Sequence, residues 1–255
     1  MVKYFSLLQL SLQNFLHLFA KYGSMVLQMQ IFTEKVTKAE ITMGDDRPSQ
    51  TYQAYAWSMS EVLQKLQADL TRIEREIISQ DTTITLAQLE QRLHPMFLEL
   101  DSLFSVFSLG ILNCSSGSPQ AQRSCHLLEV LYDSLLKKDT IGLEGQRIKN
   151  IMLSVWLKSI KPYLNIIDTW ISQGTLPTHS QEFLIRRNEE VEIDSETFWS
   201  EGYILQTRCQ NGVDVASSSH SGVPTFLEPI VEQVLLAGKS MQLIEALGKL
   251  SGSIR

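Results

Sequence analysis

The stretch that decides the fold is Pro162–Ile185, which reads PYLNIIDTWISQGTLPTHSQEFLI. Its apolar side chains recur at helical three- and four-residue steps, at Tyr163, Ile166, Ile167, Trp170 and Ile171. Pro162 suits the first turn of a helix, and Gly174 suits the left-handed residue that commonly ends one. The pattern therefore predicts an amphipathic helix from Pro162 to Gly174 whose apolar face, with Trp170, lies in a core.

Two later blocks accompany this stretch: FWSEGYIL at residues 198–205 and VPTFLEPIVEQVLLAGKSMQLIEAL at residues 223–247. Taken with the string W-I-x-x-G-x-L and the Glu-Phe pair that follows it, they resemble the gamma-tubulin complex component family. The residues that carry the resemblance are Trp170, Gly174, Glu182, Phe183, Phe198, Trp199, Tyr203, Pro224, Phe226, Leu227, Gly238 and Lys239. As the resemblance implies, we expect these positions to be structural rather than catalytic.

The resemblance implies an all-α fold, an elongated helical bundle. Proteins of this family pair side by side through an N-terminal GRIP domain and hold gamma-tubulin with a C-terminal one, in the ring that nucleates microtubules. Residues 51–250 would form the N-terminal GRIP-type domain, residues 1–50 are weakly matched N-terminal helices, and the C-terminal gamma-tubulin-binding domain is expected to be absent after Arg255.

The implied function is that of a scaffold subunit without enzymatic activity, found in the cytoplasm and cytoskeleton at the centrosome and spindle poles. Its partners would be other gamma-tubulin complex components, contacted laterally, and it would reach gamma-tubulin only indirectly. A subunit of an α-helical tethering or vesicle-coat complex, which shares only the bundle architecture, is the alternative. A hydrolase is a distant third possibility.

Composition supports a folded, acidic protein. The 255 residues are 44% hydrophobic, which is enough for a sizeable core, and the net charge is −6. An acidic chain without a strongly basic run is not typical of a nucleic-acid binder, which needs a local surplus of Lys and Arg. Three cysteines, with no C-x-x-C spacing, indicate neither a disulfide framework nor a zinc site.

No membrane partner is expected. The first twenty residues imitate a secretory signal, but Gln9, Gln13, Asn14 and His17 interrupt the apolar run before it reaches the ~20 residues of a membrane span.

Helical periodicity extends along most of the chain, with interruptions at Gly, Pro and Ser clusters. The predicted helices are two within Tyr4–Met43 broken near Gly23, then Tyr52–Ile77, a helix opened by a Thr85–Gln88 capping box, Leu127–Leu136, Gly145–Ile160, Thr225–Leu236 and Lys239–Leu250. Pro95 is expected to kink or divide the fourth of these. A loop is predicted over Gly110–Arg123, and Cys209–Gly222 is expected to be mobile because it is Ser-rich and lacks apolar anchors.

No catalytic, cofactor or metal site is predicted. Gly238-Lys239-Ser240 matches the end of a phosphate-binding loop, but the required glycine five residues earlier is Gln233. The five histidines lie in unrelated contexts without a nucleophile–base arrangement. The four tryptophans, Trp57, Trp156, Trp170 and Trp199, are expected to pack in the core.

Overall fold

A computed structural model describes residues 2–41, 47–79, 84–114, 119–137, 142–176, 182–191, 195–205 and 223–252. Within these ranges the protein is almost entirely helical, which confirms the all-α prediction. The α-helices are α1 Val2–Ile41, α2 Gln50–Ser79, α3 Leu86–Phe107, α4 Gln120–Lys137, α5 Gly142–Gln173, α6 Phe198–Glu201 and α7 Val231–Gly252. Two short strands, β1 Ile185–Arg187 and β2 Tyr203–Leu205, pair antiparallel with Arg186 opposite Ile204.

The predicted break in the first helix is wrong, because α1 continues through Gly23. A glycine within a helix costs about 1 kcal/mol relative to alanine, and tertiary contacts on either side of it offset that cost. The Tyr22 ring stacks on Phe97 with centroids 4.0 Å apart, and the Tyr22 hydroxyl donates to Asp101 at 2.8 Å. These contacts fix α1 on α3 at the place where the sequence suggests a break.

Helix α3 begins at the predicted capping box and ends differently from the prediction. The Thr85 side chain accepts from the Gln88 backbone N–H, and the Gln88 side chain accepts from the Thr85 N–H, which confirms the box. Pro95 does not divide the helix, since Leu93 and Phe97 on either side of it are buried in the same core. A π-helix over Ser108–Leu112 prolongs α3 into the segment predicted as a loop, and α4 already begins at Gln120, so the true connection is shorter than predicted.

Helix α5 joins two segments that the sequence divided at Pro162. The proline lies within the helix rather than at its first turn. Ile160 and Tyr163 are both buried, so one continuous face packs against neighbouring helices across the proline. Packing of an apolar face outweighs the local preference of proline to begin a helix.

The C-terminal region also forms one helix where two were predicted. A 3₁₀ turn at Glu228–Ile230 leads into α7, which passes through Gly238 without a break. The sequence predicts a boundary between helices at Gly238, but the structure places this glycine where α7 closely approaches α5. The serine-rich segment 209–222 lies outside the described residues.

The buried side chains form two clusters. The first lies among α1, α2, α3, α4 and α5 and includes Tyr55, Met59, Leu103, Phe107 and Leu131. The second is centred on Trp170 and includes Tyr163, Phe183, Phe198, Tyr203 and Leu227. Helices α4 and α5 contribute to both, and Trp156 packs against both. The second cluster contains five of the twelve residues that carry the family resemblance, and Phe226 packs against it.

One stretch in the described part of the chain, Leu86–Leu112, is long and apolar enough to cross a membrane by length and composition alone. Its side chains Leu93, Leu100 and Leu103 are buried against other helices. The core helix of a soluble protein passes the same test, so this property is only weak evidence for a membrane span.

Candidate functional site

The family-motif residues meet around the indole of Trp170 on α5. Trp170 is completely buried, and its Nε1–H donates to the backbone oxygen of Val234 on α7 at 2.9 Å. The Tyr203 ring on β2 lies against the indole with centroids 4.7 Å apart, and Phe198 meets Tyr203 edge-on. Trp170 therefore joins α5, α7 and the β-hairpin in one contact.

Two glycines allow α7 to approach α5 closely. A Cβ on Gly238 would lie 1.9 Å from Cε2 of Trp170, so only glycine lets the α7 backbone rest on the indole. Gly174 ends α5 with φ of 65°, in the left-handed region, as the sequence predicts. A Cβ on Gly174 would lie 2.6 Å from the backbone nitrogen of Gln242, so this turn also touches α7.

Strand β2 and helix α6 are held to α7 by one polar contact each. The Tyr203 hydroxyl donates to Oε1 of Gln242. Lys239 is 4% exposed, and its Nζ donates to the backbone oxygen of Trp199 at 2.8 Å. Burial lowers the pKa of Lys239. The lysine of the Gly-Lys pair thus serves a structural contact, and it lies inside a helix rather than in a phosphate-binding loop.

Glu182 connects the Trp170 region to the start of α2. It is 1% exposed, and its Oε2 accepts from the backbone N–H of Thr51 at 3.0 Å and from the Ser124 hydroxyl at 3.4 Å. Thr51 is in the first turn of α2, where N–H groups lack intrahelical partners and a negative charge is favourable. A residue 131 positions away in sequence therefore caps this helix, which no local pattern could reveal.

The Glu182 cap leads to a stability prediction. Glu182→Ala is expected to lower the free energy of unfolding by about 2 kcal/mol, because a buried N–H loses its charged acceptor. Glu182→Gln should cost roughly half as much, since an amide oxygen keeps the hydrogen bond without the charge. Urea unfolding of each variant measures both values. The control is Glu190→Ala at an exposed acid nearby. A loss for Glu182→Ala no larger than for this control would contradict the capping role.

The segment Pro224–Leu227 anchors the chain on α4 and α5. Leu227 is buried, and the Phe226 ring lies 5.2 Å from that of Tyr132 and 5.8 Å from that of Trp156. The backbone N–H of Leu227 donates to the oxygen of Pro224 at 2.8 Å, which closes a turn. This turn directs the chain into α7.

The prediction that all four tryptophans lie in the core is wrong for two of them. Trp57 on α2 is 61% exposed and Trp199 is 47% exposed. Trp199 contributes its backbone oxygen to the site rather than its ring. Helical spacing shows which residues share a face, but it does not show whether another helix covers that face.

The sequence of the chain matches a known protein family. The family model described as gamma tubulin complex component N-terminal matches residues 2–254. The chain belongs to the gamma-tubulin complex component family.

Several members of the family are similar to the chain over most of its length. Gamma-tubulin complex component 5 of Mus musculus is 32% identical over 94% of the chain, and component 5 of Macaca fascicularis is 30% identical over 92%. The gamma-tubulin complex component 2 homolog of Drosophila melanogaster is 25% identical over 75%. The chain spans 26%, 36% and 21% of the lengths of these relatives, respectively.

The string Ala237–Leu243 and the pair Arg187-Asn188 predict a resemblance to component 5, and the relatives at 32% and 30% identity confirm it. No support appears for a tethering or vesicle-coat subunit, because these relatives are all gamma-tubulin complex components.

The described residues offer little reactive chemistry. In that part of the chain no group of three or more His, Cys, Asp or Glu side chains is placed to hold a metal ion. Cys114 and Cys125 are free thiols, and burial raises the pKa of Cys125 to about 12, which keeps it protonated and unreactive. Burial also raises the pKa of Tyr203 and of Tyr163. These buried groups are suited to packing rather than to proton transfer.

One exposed face of α5 is apolar. Leu153, Leu157, Leu164 and Ile171 are 41%, 52%, 45% and 41% exposed. At 100° per residue their spacing places them within about 40° of each other around the helix, along about 27 Å of its length. We call these four residues the α5 stripe. An apolar row of this length on an exposed helix face is typical of a surface that packs against another protein.

Proposed function

We propose that the chain is a non-enzymatic scaffold subunit of the gamma-tubulin complex that makes lateral contacts with other components during microtubule nucleation. Family membership supports the proposal that the chain takes part in the gamma-tubulin complex. The contacts of the motif residues support the proposal that its role is structural. Around Trp170 these residues serve helix packing, hydrogen bonding and capping, so the family pattern specifies a rigid shape. The proposal places the protein in the cytoplasm and at microtubule-organising centres.

We also propose the domain role and the partners that family membership implies. Residues 51–250 act as an N-terminal GRIP-type domain, with α1 packed on α2 and α3. The partners of this domain are other gamma-tubulin complex components, and gamma-tubulin is reached through them. The net charge of −6 is unfavourable for binding to nucleic acid or to an anionic membrane surface.

The observation that carries the proposal is the α5 stripe. A protein interface of standard size buries about 800 Å² on each partner around a small apolar centre. Four large aliphatic side chains in one row supply such a centre. Polar residues flank the row, with Lys161 and Asp168 exposed beside it, as at the rim of an interface. The occupant we propose is the N-terminal domain of a second complex component.

Two substitutions in the stripe test this interface. Leu157→Glu with Leu164→Glu should weaken binding to a partner component by at least about tenfold, because two charges would be buried at the centre of the contact. Both side chains are exposed in the isolated chain, so its thermal midpoint should change little. Isothermal titration of the purified chain with each component, and with gamma-tubulin alone, provides the affinities.

The matched control is Ser154→Glu with Asn165→Glu, which adds the same charge at exposed positions of α5 outside the stripe. Binding should be nearly unchanged in this control. Equal weakening in both double variants would show that the stripe is not the contact surface. Tight binding to gamma-tubulin alone, with none to any component, would contradict the proposed function as a whole.

A further inference from the structure

A cationic pocket lies between the C-terminal part of α1 and the starts of α2 and α4. Its volume is about 330 Å³, within the range of small-molecule sites. Lys35 from α1, Arg47 before α2 and Arg123 from α4 line it, so three separate segments each contribute one cation. Phe32 and Ile111 supply apolar walls.

The charge of this pocket is not neutralised by the described residues. None of those that line it is Asp or Glu, and none of its three cations lies within ion-pair distance of a described carboxylate. Elsewhere on the same helices cations are paired, as Lys137 is with Asp133 on α4. In a chain of net charge −6, three cations that converge with no acid beside them among the described residues form an electrostatic site for an anion.

A buried hydroxyl in the same wall has no acceptor within hydrogen-bond distance among the described residues. Tyr52 lines the pocket and is 4% exposed, and the neighbours of its hydroxyl are the Arg123 guanidinium and the Cys114 thiol. The guanidinium of Arg123 lies over the Tyr52 ring, 5.0 Å from its centroid. Burial raises the pKa of Tyr52 to about 12, so the hydroxyl keeps its proton and can donate at neutral pH. A buried donor without an acceptor is rare, and an anionic ligand would supply the acceptor.

The other polar groups of the wall are already engaged. Ser49 accepts from the Ser124 hydroxyl at 2.8 Å, and the Gln120 amide donates to the backbone oxygen of Arg47 at 2.9 Å. Glu182 lies behind Ser49, and its Oε2 is occupied by Thr51 and Ser124. Among the described residues, the groups left for a ligand are therefore the three cations, of which Arg123 lies against Tyr52, and the Tyr52 hydroxyl.

We propose that this pocket binds the phosphate group of an anionic ligand. Arginine recognises phosphate with paired N–H donors, lysine adds a compact charge, and a tyrosine hydroxyl can donate to a third oxygen. The phosphate can belong to a free small molecule or to a phosphorylated side chain. Both sources present the same oxygens to Lys35, Arg47, Arg123 and Tyr52.

Calorimetric titration of the full chain with pyrophosphate and with O-phosphoserine tests the site. Saturable binding is expected at low salt, and it should be weakened at least about tenfold in the variant Lys35→Gln with Arg123→Gln. The matched control, Lys65→Gln with Lys137→Gln, removes two exposed cations from α2 and α4 and should bind normally. Tighter binding of pyrophosphate would identify a free phosphorylated molecule as the source, and tighter binding of O-phosphoserine a phosphorylated side chain.

Tyr52→Phe gives an independent measurement, because it removes only the hydroxyl. Binding should weaken by roughly three- to tenfold while the thermal midpoint changes little, since the hydroxyl has no acceptor within hydrogen-bond distance in the described part of the chain. Absence of saturable binding up to about 10 mM ligand would overturn the proposal. Equal weakening in the control double variant, or full binding by Tyr52→Phe and by the pocket double variant, would do the same.

Discussion

Trp170→Ala is expected to lower the free energy of unfolding by about 3–5 kcal/mol. The indole is completely buried between α5, α7 and the hairpin, so its removal leaves a cavity that these elements cannot all close. It also leaves the backbone oxygen of Val234 without the Nε1–H donor that it now has at 2.9 Å. The cavity and the lost hydrogen bond act in the same direction.

Urea unfolding followed by far-UV circular dichroism measures this loss. The control is Trp57→Ala, the same substitution at a ring that is 61% exposed, which should cost less than about 1 kcal/mol. A loss for Trp170→Ala similar to that of the control would mean that the indole does not hold the two helices together. The family tryptophan would then need a role other than packing.

The central helix shows how much of the fold the sequence predicts. Spacing identifies Tyr163, Ile166 and Trp170 as one buried face, and Gly174 as the residue that ends the helix. These features depend on neighbours within a few residues, which a sequence displays directly. The Thr85–Gln88 capping box is predictable for the same reason.

The errors share one physical cause. Gly23, Pro162 and Gly238 each weaken a helix locally, and each lies within a continuous helix. At Gly23 the adjacent Tyr22 is held by Phe97 and Asp101 on α3. Tertiary contacts of this kind are absent from any local pattern, and they outweigh local costs of about 1–3 kcal/mol.

The sequence predicts which residues belong to the candidate site, but it does not predict the contacts that these residues make. The sequence singled out Glu182 and Lys239, but it could not show that Glu182 caps α2 or that Lys239 binds the backbone of Trp199. These contacts join residues 131 and 40 positions apart. The exposure of the α5 stripe depends likewise on which helices cover α5, so one helical pattern cannot reveal it.

Gly238→Ala is expected to destabilise the protein by roughly 3 kcal/mol. Two opposed effects contribute. Alanine is favoured over glycine within a helix by up to about 1 kcal/mol. The new Cβ, however, would lie 1.9 Å from Cε2 of Trp170, far inside contact distance. The indole is fixed by Val234 and Tyr203, so α7 itself must shift, and the steric effect dominates.

Two comparisons isolate this steric effect in urea unfolding. Gly23→Ala in α1 meets no atom within 4 Å, so it should stabilise the protein by about 0.5–1 kcal/mol, the opposite sign for the same substitution. In a Trp170→Ala background, Gly238→Ala should become neutral or stabilising, because the space of the indole is then empty. If Gly238→Ala costs the same with and without the indole, the cost arises elsewhere in α7. Strong coupling would instead establish that the family's tryptophan and its Gly-Lys pair form one packing unit.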